Sequence, residues 1–118
     1  VDQFVRKHPM GYDMEVQEGG RGLSGGQRQC IVLARSLLLD PPVLVFDEPT
    51  SNMDNRTEAL LKQSLARIIK DKTLLLITHR ASLLDMVDRL IVIDNGAVVA
   101  DGPKASVLEA LKSGQLKL

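Results

Sequence analysis

Apolar and polar positions divide the chain into four stretches. Over residues 1–22 the apolar residues keep no period, and His8-Pro9, Gly11 and Glu18-Gly19-Gly20-Arg21-Gly22 interrupt the backbone, so this stretch is expected to be mostly loop. Over residues 24–40 the spacing turns helical. Cys30, Leu33 and Leu37 stand at i, i+3 and i+7 with Ile31, Ala34 and Leu38 beside them, an apolar face wide enough to predict a largely buried helix. Ser24 suits its N-cap, because a hydroxyl there accepts from a free first-turn amide. Pro41 and Pro42 end it, since neither can donate a backbone hydrogen bond.

Residues 43–46 (Val-Leu-Val-Phe) predict a short strand buried on both faces, as in a parallel sheet. A helix is expected over 55–70, with Leu61, Leu65, Ile68 and Ile69 on one face. Asp54 or Asn55 would cap it, Glu58 standing three residues beyond Asn55. Residues 73–78 predict a second buried strand and 81–87 a short helix. Strands over 90–94 and 97–100 flank Asn95-Gly96, a hairpin signal because both turn residues need positive φ. Gly102-Pro103 then leads into a closing helix ending near Gly114. The alternation predicts an α/β fold: a mainly parallel sheet with flanking helices and a terminal β-hairpin.

Composition narrows the classes. A chain of 118 residues makes one small domain, burying on the order of two-thirds of its unfolded surface. Hydrophobic residues at 44% and charged residues at 25% exclude disordered and fibrous classes. Fifteen basic against fifteen acidic side chains give no surplus to neutralise phosphates, and aromatics at 3% with no Trp give no stacking surface, so nucleic acid is not an expected partner. No apolar run approaches the roughly 20 residues that span a bilayer, and no basic start followed by an apolar stretch reads as a secretory leader. The lone Cys30 excludes an internal disulfide and fits a reducing compartment. These counts describe soluble, cytoplasmic material.

Three motifs carry candidate chemistry. Leu23-Ser24-Gly25-Gly26-Gln27 opens the first helix, where unpaired amides and the macrodipole favour an anion and two glycines admit it closely. A capped helix with a glycine-rich turn and no ligand would look the same. Asp47 and Glu48 end the apolar strand, at the edge where open α/β sheets bind ligands. Asp47 suits Mg²⁺, most naturally through water, and Glu48 could deprotonate an attacking water. An acidic pair solvated at a strand end is the bland alternative. His79 follows the neighbouring strand and would face the same crevice, although a single histidine is commonly structural; His8, beside Pro9, is read as structural.

In this order the motifs resemble the nucleotide-binding domain of ABC transporters over about residues 14–111. Residues 23–27 are similar to the LSGGQ signature, 43–48 to the Walker B strand with its catalytic carboxylate, Ser51-Asn52-Met53-Asp54 to the D-loop and His79 to the H-loop histidine. The resemblance implies a partial P-loop NTPase (RecA-like) fold, with residues 1–40 a remnant of the helical subdomain plus the signature helix and residues 41–118 carrying the remaining motifs. It implies ATP and Mg²⁺, the latter on Asp47. In the family two such domains pair head to tail. Ser24, Gly25, Gly26 and Gln27 would then hold the γ-phosphate of ATP bound mainly by the partner domain. Glu48 would be the general base, His79 would brace the γ-phosphate and water, and Ser51 and Asp54 would link the two sites.

The wording is most similar to exporters. Glu15-Val16-Gln17-Glu18-Gly19 sits where exporters carry the X-loop that faces the membrane domain, and residues 47–54 and 78–83 are similar to type I secretion ATPases for RTX-type proteins or bacteriocins. Gln17 stands where many exporters have Gly, and Met53 where the family more often has Leu. The implied partners are a second nucleotide-binding domain and the transmembrane domain of an exporter, on the cytoplasmic side of the plasma membrane. A non-hydrolysing nucleotide-binding or dimerisation module and a soluble ABC ATPase are the alternatives; the carboxylate of Glu48 speaks against the first, the X-loop-like segment and neutral charge against the second.

No Gly-x-x-x-x-Gly-Lys-Ser/Thr occurs in the chain. In the family that P-loop lies upstream, so the chain is expected to be the C-terminal part of one ATP-binding domain and to lack ATPase activity on its own. The P-loop strand normally lies between the strands at 73–78 and 90–94, and without it two sheet edges are expected to stay unpaired.

Overall fold

A computed structural model describes residues 1–114, which divide into two compact units, residues 1–79 and residues 80 onward. The first unit opens with a short helix α1 (Asp2–Val5) and 3-10 turns at Gly11–Asp13 and Glu18–Gly20, where mostly loop was expected. Four residues are too few for a period to show, yet Val5 is buried and Asp2 accepts from Arg6 and from the Tyr12 hydroxyl.

Helix α2 (Gly25–Ser36) begins where Ser24 predicts and ends four residues before the expected stop. Leu37 is its C-cap, and Asp40 turns the chain with a left-handed φ of 47° ahead of Pro41. The predicted wide buried face is not found. Leu33 is buried, whereas Ile31, Val32 and Leu38 are exposed, because no described element covers that side.

Strands β1 (Val43–Asp47) and β2 (Thr73–Ile77) pair in parallel, with Val43 opposite Thr73 and Asp47 opposite Ile77. Lys72 fixes this register at its start: its ammonium reaches Asp40 at 2.6 Å and the Pro41 carbonyl at 2.9 Å, and the Thr73 amide donates to Pro42. Burial on both faces is corrected. Leu44 and Phe46 are buried, while Val43, Val45, Leu75 and Ile77 are exposed on the other face, so the pair is covered from one side only. The continuous apolar run encodes two covered faces, and the described residues supply one cover.

Helix α3 (Asn55–Ile68) is capped by Asp54, which accepts from the Thr57 amide at 2.8 Å and the Thr57 hydroxyl at 3.2 Å. That places Thr57 at N3, so of the two candidate caps it is Asp54 that serves; Glu58 is buried. On the predicted apolar face Leu65 is buried and Ile68 exposed.

In the second unit the turn at Ala81–Met86 is 3-10 rather than α-helical, and it buries Leu83. Strands β3 (Arg89–Asp94) and β4 (Ala97–Pro103) form the predicted hairpin, with φ of 46° at Asn95 and 77° at Gly96. β4 runs three residues further than expected, through Pro103. Helix α4 (Lys104–Lys112) folds back on the hairpin, burying Val107 near Gly102. Among the described residues β2 pairs only with β1 and β3 only with β4, so the sheet is two separate pairs with unpaired edges.

Candidate functional site

The tip of α2 is a reciprocal capping box. Ser24 Oγ accepts from the Gln27 amide at 3.1 Å, and Gln27 Oε1 accepts from the Ser24 amide at 2.8 Å. Gln27 is thus a structural clasp. The amides of Gly25 and Gly26 have no protein acceptor among the described residues and remain, with the Ser24 hydroxyl, as donors at one spot. The glycines also have an intrachain reason: a β-carbon at Gly25 would lie 3.1 Å from the Asn52 side chain, and one at Gly26 would lie 3.2 Å from the Asn52 carbonyl. The helix tip therefore packs directly on the loop after β1.

At the C-terminal edge of β1, Asp47 is exposed, and Glu48 takes a left-handed φ of 43° that few non-glycine residues adopt. Its backbone amide donates to the Ile77 carbonyl at 2.9 Å, continuing the ladder one step beyond β1. Its carboxylate accepts from the His79 backbone amide at 2.9 Å, while the His79 ring stands 3.8 Å away and is almost fully exposed. Glu48 and His79 do meet, through backbone geometry more than through side chains. Ser51 donates its amide to the Glu48 carbonyl, closing the turn. Asp54 has both oxygens turned to Thr57, whose amide holds its carboxyl below the ordinary range.

Two residues outside the predicted set tie these parts together. Gln29 Nε2 donates to the Glu48 carbonyl at 2.8 Å, and Gln29 Oε1 accepts from the Asn52 amide at 3.2 Å. Arg28 donates to the Leu23 carbonyl at 2.8 Å, and its chain fills the space where Gly20 lacks a β-carbon. Neither bears a local signal, because their partners lie in other turns of the chain.

As for the implied metal, no group of three or more His, Cys, Asp or Glu among the described residues could cage an ion. A single exposed carboxylate at a strand end nevertheless fits Mg²⁺, which keeps most of its waters and takes one or two carboxylates besides phosphate oxygens.

A parallel strand pair with acidic residues at its C-terminal edge, set against a helix tip with free amides, defines part of an α/β NTPase domain. The family model described as ABC transporter matches residues 1–51. The ATP-dependent lipid A-core flippase of Pseudoalteromonas translucida is 45% identical over 108 residues, 92% of this chain and 19% of that protein. An uncharacterised ABC transporter ATP-binding protein of Sinorhizobium fredii is 42% identical over 105 residues, 89% of this chain and 18% of that protein. In three dimensions the chain is similar to a bacterial Atm1-family ABC exporter with ATP bound, with a TM-score of 0.84 and 33% identity over 98% of this chain and 22% of that one. Over nearly its whole length the chain is thus similar to ATP-binding sequence of ABC transporters, and it spans less than a fifth of the flippase's length. No helix among the described residues is long and apolar enough to cross a membrane.

Proposed function

We propose that the whole protein hydrolyses ATP to drive export across a membrane, and that residues 1–118 supply one signature helix and one set of hydrolytic residues. The observation that carries this is Glu48: a carboxylate held by the His79 amide on a left-handed backbone at the edge of β1. Glu48 takes the proton from the water that attacks the terminal phosphorus, a role worth about 10²–10⁴ in rate. His79, whose ring is almost fully exposed beside Glu48, steadies the water and the γ-phosphate oxygens. Asp47 would hold Mg²⁺, which would supply positive charge to neutralise the phosphates. Ser24 and the amides of Gly25 and Gly26 donate to the γ-phosphate of ATP carried by a second nucleotide-binding domain paired head to tail, while Gln27 keeps that tip in shape. Ser51 and Asp54 line the loop joining the two sites. The chain then lies on the cytoplasmic face, beside a transmembrane domain.

Relatives named lipid A-core flippases favour an amphipathic lipid as cargo. The wording of residues 47–54 and 78–83 carries the second reading, a polypeptide exported as in type I secretion. In liposomes holding the full-length protein, ATPase stimulation by an amphipathic lipid supports the first, and stimulation by a secreted polypeptide the second. The hydrolytic assignment is tested by Glu48→Gln, whose amide oxygen still accepts from His79. Mg-ATP turnover is expected to fall about 10²–10⁴-fold with nucleotide binding retained; unchanged turnover removes Glu48 from the chemistry.

A further inference from the structure

We infer that Gln29 is a positioning residue for the Glu48 base, transmitting the placement of the signature turn to the hydrolytic carboxylate. The inference rests on the reading of Glu48 as base and concerns how that base is aimed.

Gln29 sits on the second turn of α2, half-buried, and its amide bridges two points of the loop after β1. An amide nitrogen can only donate and its oxygen can only accept. One orientation therefore satisfies both bonds: Nε2 to the Glu48 carbonyl at 2.8 Å and Oε1 from the Asn52 amide at 3.2 Å. Ser51 Oγ lies 3.5 Å from the same Nε2. These bonds cross 19 and 23 residues of sequence, so they join separate elements.

The consequence lies in what else Asn52 and Glu48 touch. Asn52 is the residue against which Gly25 and Gly26 pack with no room for a β-carbon. Glu48 is held in a sparsely populated backbone conformation by its amide on Ile77 and its carbonyl on Gln29 and Ser51, while its carboxylate takes the His79 amide. Such a conformation persists only where its surroundings over-determine it. Signature turn, Asn52, Gln29 and the Glu48 carbonyl form one chain of direct contacts, and Gln29 is its middle link. Without the Gln29 donor, the Glu48 carbonyl loses one of its two donors, keeping the Ser51 amide, and its carboxylate loses a fixed origin.

The test uses the full-length protein and Mg-ATP turnover. Gln29→Leu keeps the volume and helix preference but loses both bonds. It is expected to lower kcat roughly ten- to a hundredfold, the size of an ångström-scale misplacement, with KM for ATP within about twofold. In the Glu48→Gln background the same substitution is expected to change single-turnover hydrolysis less than about twofold, since no base remains to be misplaced. Gln29→Glu keeps an acceptor for Asn52 and loses the donor to Glu48, so the kcat loss is expected to persist; it carries the test alone if the Leu variant does not fold. Equal slowing in both backgrounds, a raised KM with unchanged kcat, or wild-type kcat in Gln29→Glu would overturn the inference. Wild-type turnover in Glu48→Gln alone instead removes the underlying assignment of the base, so the two failures are distinguishable.

Discussion

Thr50 lies two residues beyond Glu48, is 1% exposed, and has a side-chain hydroxyl without a hydrogen-bond partner. Thr50→Val replaces that hydroxyl by a methyl on the same branched carbon, leaving shape and backbone intact, including the carbonyl that accepts from the Met53 amide at 3.0 Å. An unpaired buried hydroxyl costs about 1–3 kcal/mol by protein mutational data. Removing it should therefore stabilise the fold by that order, where an ordinary bonded threonine would lose stability. With a urea slope of roughly 1.5 kcal/mol per molar, the unfolding midpoint of the 118-residue chain should rise by about 0.7–2 M at unchanged slope. Thr50→Ser is the control. It keeps the hydroxyl, deletes a buried methyl, and should lower stability by roughly 1 kcal/mol. Circular dichroism across a urea series reads all three proteins. A lower midpoint for Thr50→Val would refute the reasoning, because it would mean the hydroxyl is bonded in solution.

Three further outcomes follow from other parts of the structure. His79→Ala should change the unfolding free energy by no more than about 0.5 kcal/mol, because the ring is exposed and approaches Glu48 only to 3.8 Å; a larger loss in urea would show that the ring braces the fold. Asp101 is held below its ordinary value by hydrogen bonds from the Arg89 guanidinium and then by its charge. Its folded value being depressed, the stabilisation is present above the ordinary value near 3.8 and lost as pH falls through the lower one, so wild type and Asp101→Asn should separate in urea midpoint near neutral pH and converge as pH falls well below that ordinary value. Gly96→Ala meets nothing within 4 Å yet must adopt a φ of 77°, so it should destabilise the hairpin by about 1–2 kcal/mol through the backbone alone, read by amide exchange across β3 and β4.

Local chemistry was legible in the sequence wherever it is closed by near neighbours. Ser24 caps α2, and Asn95-Gly96 turns the hairpin, because each needs only its adjacent residues. The meeting of Glu48 and His79 followed from two strands ending side by side. What depends on distant or absent neighbours was not legible. Val43 and Val45 read as buried because an apolar run encodes two covers, while the described residues supply one. Ile31 and Leu38 misled for the same reason. Gln29 is silent in sequence because both its partners come from another element, and Val5 because α1 is too short to show a period.

The left-handed backbone at position 48 bears on what a saturation library there would return. Branched residues such as Val, Ile and Thr meet the steric penalty at once and would be scored as folding defects. Gln, unbranched at Cβ like the native Glu, and Asn tolerate the torsion and, if Glu48 is the base as proposed, would surface as well-made proteins of reduced turnover. Only unbranched replacements at this position can separate lost chemistry from lost structure, which makes the backbone, ahead of the carboxylate, the filter through which a screen would first see this site.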